Sequence, residues 1–171
     1  MPLLKQGHVV EDIWVKVEDG DYLPDDRPAL ISHARWEAER DTLQKRNAPL
    51  GILLPNTADI LVFGPEAGRF GVIALQFPKF SDGRAYSQAR LLRERFGYRG
   101  ELRATGNVLR DQLLHMHRAG FDAFEIPRDD AAEVFAKALA SLSVFYQPTG
   151  DGRVTARDLR LRHLLREEAA E

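Results

Sequence analysis

From Leu50 onward the chain alternates between short apolar runs and stretches of helical period. "GILLP" (51–55), "GVIALQFP" (71–78), "GELRATG" (100–106), "DAFEIP" (122–127) and "SVFYQP" (143–148) read as strands. Between the second and third, Ala85, Ala89, Leu92 and Phe96 recur at spacings of four, three and four, which is one stripe of a helix. "NVLRDQLLHMHRAG" (107–120) reads as a helix with Leu109, Leu113 and Met116 on its apolar side and Val108, Gln112 and His115 on the other. "DDAAEVFAKALASL" (129–142) is a third helix, whereas "NTADILVFGPEAGRF" (56–70) is poorly periodic. Ile52, Leu53, Ile73, Leu75, Leu102, Ala104, Phe124 and Ile126 are the expected strand core, with Leu92, Leu113 and Phe135 packing on them from the helices.

The first fifty residues follow a different pattern. "VVEDIWVKV", a turn at Glu18–Asp21 and "DYLP" predict a short antiparallel ribbon over about 9–23. "PDDRP" (24–28) is a loop and "ALIS" (29–32) a short buried strand. Ser32 is placed to cap a helix over 33–47 that puts Trp36 and Leu43 on one face and stops at Asn47 and Pro49.

Strand runs alternating with helices predict an α/β fold, a mostly parallel sheet of consecutive βα units. An open three-layer sheet and a part-barrel fit the pattern equally. The expected domain is 1–150, followed by a charged helical tail, 151–171, that carries Leu159, Leu161, Leu164 and Leu165. That tail is too polar for a core, so it lies on a surface, mediates homo-oligomerisation or frays.

Composition narrows the chemistry. The 171 residues are 44% hydrophobic and 29% charged, the balance of an ordinary globular domain. With no cysteine, disulfides, thiolate nucleophiles and cysteine-held zinc or iron–sulfur clusters are excluded. "MPLLKQGHVVEDIW" lacks the apolar core of a signal peptide, and no run is long enough to span a bilayer. A cytoplasmic protein without membrane partners is expected.

The net charge of −2 conceals an asymmetry. Lys79–Arg118 carries nine Lys/Arg against four Asp/Glu, and the remainder carries 15 against 22. Nineteen of the 24 basic residues are arginine, a residue suited to two-pronged oxyanion recognition. The excess is small and no aromatic stacking series accompanies it, so nucleic acid is not an expected partner.

"FPKFSDGRAYSQARLLRERFGYRGELRATGNVLRDQL" followed by "RAGFDAFEI" resembles a bacterial family, domain-of-unknown-function family 934, whose members are often described as a probable oxidoreductase involved in sulfite reduction. The resemblance runs strongly from Leu50 to Gln147, with the spacer "ADILVFGPEAG" unlike the helical spacer expected there. It implies a context, assimilatory sulfur metabolism beside sulfite reductase, rather than an assigned reaction or catalytic residues.

Polar residues at the carboxyl ends of the strands are where a parallel α/β fold places its site. Lys79, Ser81, Asp82, Gly83 and Arg84 form one candidate anion cradle at a helix start, and the competing reading is a capped helix with Arg84 paired to Asp82. Thr105, Asn107, Arg110 and Asp111 form a second, with Asn107 as cap or ligand donor and Arg110 set against the helix dipole. Gln76, Arg103 and Glu125 sit inside strands that otherwise read as buried, so Arg103 and Glu125 either pair or line a shared cavity. One pocket uniting Lys79, Asp82, Arg84, Arg103, Asn107, Arg110 and Glu125 is the sharpest expectation. His115 and His117 are i, i+2 on a helix and face apart, and Asp82, Glu101 and Glu125 match no metal signature, so no metal is expected.

Two functions remain open at this level. One is an accessory protein that docks on sulfite reductase or its electron donor. The other is a small enzyme or cofactor binder that recognises an anionic sulfur or phosphate compound. An oxidoreductase without cysteine needs a flavin, a nicotinamide or a partner to hold electrons, and no nucleotide fingerprint is present.

Overall fold

The computed structural model describes residues 3–168. Strands β1 (Leu3–Lys5) and β2 (His8–Val10) form an antiparallel hairpin. Gln6 and Gly7 between them both take positive φ, 51° and 85°, as the two-residue hairpin turns that match strand twist require. The remaining strands are β3 (Val15–Lys16), β4 (Ala29–Ser32), β5 (Leu50–Leu54), β6 (Val72–Phe77), β7 (Glu101–Gly106) and β8 (Ala123–Glu125). They pair in parallel, in chain order, and β1 adds antiparallel beside β8. The eight-stranded order is β2-β1-β8-β7-β6-β5-β4-β3.

Helices α1 (His33–Leu43), α2 (Ile60–Phe63), α3 (Arg84–Arg90), α4 (Leu113–Ala119) and α5 (Ala131–Ala140) follow β4 to β8 in turn. A crossover between neighbouring parallel strands is right-handed, so strands laid down in simple order send every helix to one face. There Ile52, Ile73, Leu75, Leu102 and Phe124 meet Trp36, Leu92, Met116 and Phe135 in one continuous core. The alternate positions, Leu30, Leu53, Val72, Ala74 and Arg103, point to the other face, where a small apolar patch gathers Leu30, Val72 and Ala74 against Trp14 and Leu53. A last helix, α6 (Ala156–Glu168), lies beyond the sheet.

The connection between β2 and β3 dictates the shape of the sheet. These strands occupy its opposite edges, which in a flat sheet would stand about 34 Å apart at about 4.8 Å per strand. The chain from Val10 to Val15 reaches about 18 Å at most. The sheet therefore curls, and residues 11–14 cross its concave face as a strap. Trp14 lies against Gly51 and Gly71, where a Cβ would come within 3.2 Å and 2.8 Å of the indole ring. Of the two architectures the pattern allowed, the curled sheet with helices on one face is the one formed.

Several local expectations change. The ribbon expected over 9–23 is absent: the hairpin lies at 3–10, and β3 pairs in parallel with β4. "SVFYQP" forms no sixth parallel strand, because β1 already occupies the edge beside β8. Phe145 makes only an isolated bridge to Thr155, and Arg118 holds this segment by stacking 3.8 Å over the Phe145 ring and bonding Asp151 and Thr149. After "TGN" the chain makes a 3-10 turn at Arg110–Gln112 before α4, so Asn107 caps nothing and Arg110 does not oppose an α-helix dipole. Val108 and Gln112, expected on the polar side, are buried, and Leu109 is exposed.

Ser32 does cap α1, its hydroxyl accepting the Arg35 N–H at 2.9 Å. Ten of the eleven expected core residues are buried and Leu53 is half-buried on the concave face. A π-helical turn at Leu91–Arg95 follows α3, and Phe96 just beyond it is partly buried and packs against the same core. Residues 169–171 of the expected tail lie outside the described residues.

Candidate functional site

The concave face carries its polar groups in register. Across the middle of the sheet Ser32, Leu53, Ala74, Arg103 and Ala123 align, with Lys5 next to Ala123. One row nearer the carboxyl ends, Gln76 pairs with Thr105, and Glu125 lies beyond it on β8. One row the other way, Val72 pairs with Glu101.

Arg103 is the centre of this face and is fully buried. Its Nε and Nη2 donate to Glu101 Oε1 at 2.9 and 2.7 Å. Nη1 and Nη2 grip the two oxygens of Asp12 on the strap at 2.6 and 3.0 Å, and Nη1 also reaches Glu125 Oε1 at 3.3 Å. A guanidinium has five N–H groups, and all five are engaged. Burial opposes the charge on Arg103, but the hydrogen bonds it donates to Asp12 and Glu101, with their negative charges, outweigh it and raise its pKa. Burial likewise pushes the Asp12 carboxyl up, and the Arg103 hydrogen bond, the Trp14 N–H and the Arg103 charge together bring it below the ordinary value. Lys5 Nζ closes the network at 2.8 Å from Glu101 Oε2, and the Thr105 hydroxyl donates to Glu125 Oε2 at 2.5 Å. Among the described residues, two cations, Lys5 and Arg103, thus face three carboxylates, Asp12, Glu101 and Glu125.

The other candidate residues lie apart from it. In the loop between β6 and α3, Asp82 accepts from the Arg84 N–H, Nε and Nη2, and from Asn56 Nδ2 at 2.6 Å. The Arg84 hydrogen bonds hold the Asp82 pKa at about 2 despite some opposing desolvation. Lys79, Ser81, Gly83 and Arg84 around it are exposed, and Arg84 is thus paired to Asp82 as the competing reading of the cradle had it. Arg110 and Asp111 line a groove of about 520 Å³ between α4 and α5, with His115 and Lys137. Asn107 is exposed, its N–H on the Phe77 carbonyl at 2.7 Å. The seven residues expected in one pocket thus lie apart: Asp82 and Arg84 pair in the β6–α3 loop, Arg103 and Glu125 meet on the concave face, and Arg110 lines the α4–α5 groove.

Sequence reasoning missed Asp12, and Lys5 as a partner of Glu101. Neither carries a local signal, since Lys5 stands alone between Leu4 and Gln6, Asp12 reads as one of two acids in "VVEDIW", and the partner of each is more than ninety residues away. Among the described residues no group of three or more His, Asp or Glu side chains is placed to hold a metal ion, and no helix is long and apolar enough to cross a membrane.

A family model described as a bacterial protein of unknown function (DUF934) matches residues 51–157. The chain belongs to the DUF934 family. The DUF934 region runs from β5 to the first turn of α6, so it contains Glu101, Arg103 and Glu125 but neither the hairpin nor the strap. No curated protein and no solved structure matches the chain.

Proposed function

We propose that this DUF934 protein is a non-catalytic accessory protein of assimilatory sulfur metabolism that docks, through α6, on an acidic surface of sulfite reductase or its electron donor. The observation that carries the reading is the surface of α6. Leu161, Leu164 and Leu165 recur at i, i+3, i+4 and are 47%, 56% and 64% exposed. Exposed Arg157, Arg160 and Arg162 flank this stripe. An apolar stripe bordered by arginines is the pattern of a helix that lies in a groove with acidic edges. The engagement of all five Arg103 donors supports the same reading, because the most buried arginine has no donor left for an oxyanion substrate. The sulfur context comes from the family resemblance.

The test is calorimetric titration of the full chain into sulfite reductase and, separately, into its electron donor. A complex that weakens tenfold or more, about 1.4 kcal/mol, in Leu164→Ala and Leu165→Ala, and that weakens with added salt, supports the reading. No complex with either protein, a complex indifferent to both substitutions, or a purified protein that carries a visibly absorbing flavin overturns it. Self-association lost in the same variants would assign α6 to a second copy instead.

A further inference from the structure

At the amino ends of β5 and β6, away from the Arg103 network, a cleft of about 290 Å³ opens beside the end of α1. Its inner wall is apolar: Trp36, Leu43 and Phe70 line it, each buried, and the Trp36 and Phe70 rings meet edge to face at 4.9 Å. Two guanidiniums, Arg46 and Arg69, line it as well, and neither Asp nor Glu does. The Arg46 side chain is only 5% exposed. Its Nη1 donates to Asp25 at 3.3 Å and its Nη2 to the Pro24 and Arg27 carbonyls, which leaves the buried Nε–H without a partner among the described residues. An unsatisfied buried donor on a cation is costly, and an oxyanion oxygen is the acceptor that relieves it best. Arg69 is exposed, and its side chain has no partner among the described residues. Glu66, three residues before it, is taken instead by Arg40 at 2.9 Å and by the Trp36 indole N–H at 3.1 Å. The last carbonyls of α1, which would disfavour an anion, are covered: those of Arg40, Thr42 and Leu43 accept the N–H groups of Gln44, Lys45 and Arg46.

We infer that this cleft binds a small organic carboxylate, its charged end held between Arg69 and the Arg46 Nε–H and its aliphatic or aryl body against Trp36, Leu43 and Phe70. Two arginines with no acid beside them in the lining select an anion, and a planar carboxylate matches the guanidinium geometry. The apolar wall selects an anion that carries a hydrophobic body, because inorganic phosphate or sulfate would leave that wall wet. The volume lies at the lower end for ligand pockets, so the body is a single ring or a short chain. At the exposed rim, the Gln44 and Asn47 amides have no partner among the described residues and are available as donors to the second carboxylate oxygen. The inference goes beyond the docking reading and is independent of it, since α6 takes no part in the cleft.

Calorimetric titration of the full chain with benzoate, phenylacetate and butyrate, and in parallel with benzyl alcohol and inorganic phosphate, tests it. Trp36 lines the cleft, so its emission in a Trp14→Phe background gives a second reading of occupancy. At least one carboxylate is expected to bind and to change that emission, with Arg69→Ala weakening it tenfold or more. Arg46→Lys keeps the charge but removes the Nε–H, and is expected to weaken binding several-fold. Arg69 is exposed and makes no contact that the fold uses, so Arg69→Ala reads the site even if Arg46→Lys loosens the loop at 24–27. The inference is overturned if no carboxylate binds up to about 10 mM, if benzyl alcohol or phosphate binds as tightly as the best carboxylate, or if Arg69→Ala leaves carboxylate binding unchanged.

Discussion

Asp12 and Arg103, 91 residues apart in sequence, form a two-pronged ion pair at 2.6 and 3.0 Å that pins the strap to the concave face. Replacing Asp12 strands two donors of a fully buried guanidinium. Because Asp12 itself is partly exposed, the expected cost of Asp12→Ala is discounted to about 2 kcal/mol in urea unfolding. A loss under about 0.5 kcal/mol would mean that the pair behaves as a surface salt bridge and does not anchor the strap.

The strap should respond to acid. The folded pKa of Asp12 lies below its unfolded value of about 3.9, so its stabilisation is complete above about pH 4 and is lost as pH falls through the folded value. Trp14 emission is expected to change in that window while far-UV circular dichroism is still native. The Trp14→Phe variant isolates the signal from Trp36. Emission that stays constant until the secondary structure melts would rule out separate release of the strap.

Gly71 is small because Trp14 lies over it. A Cβ there would sit 2.8 and 3.0 Å from indole carbons and near no other side chain. Gly71→Ala is therefore expected to cost about 1–3 kcal/mol in the wild type and clearly less in a Trp14→Ala background. The coupling in that double-mutant cycle should be at least about 1 kcal/mol. Additive effects would show that the indole does not pack on Gly71.

Leu92 is fully buried between α3 and the sheet. Leu92→Ala should cost about 2–5 kcal/mol in chemical denaturation, and a cost below about 1 kcal/mol would place this residue outside the core.

The parallel sheet and its helices were legible because their signals are local. Alternation in "GVIALQF" and the 4-3 spacing of Ala85, Ala89 and Leu92 are set by one element at a time, and the core residues they indicate are buried. The hairpin was not legible, because its turn is Gln–Gly rather than the Asn–Gly that marks such turns, and its strands are three residues each. The site was legible in part: a buried Arg103 demanded a carboxylate, and Glu125 on the next strand supplied one. Asp12 was out of reach, since a strap crossing the sheet obeys the curl of the whole and no period of its own segment. Grouping Lys79, Arg84 and Arg110 with Arg103 assumed that loops at one end of a sheet converge, and the 3-10 turn after Gly106 sends Arg110 to the α4–α5 groove instead.

The placement of the hairpin also orders assembly. Strands β4 to β8 add one beside the next as the chain lengthens, each requiring only a contact with its predecessor. Leu3 and Leu4 precede all of these strands in the chain, yet their partners within the sheet, Glu125 and Phe124, are made only after four of the five βα units are complete. Until then Leu4, fully buried in the finished protein, has no core to enter, and Arg103 has no Asp12. Such late, long-range closure slows folding and leaves an open sheet edge on the nascent chain. The hairpin, made before the strands it joins, is thus among the last elements to settle, and it closes the edge that β8 would otherwise present to a neighbouring chain.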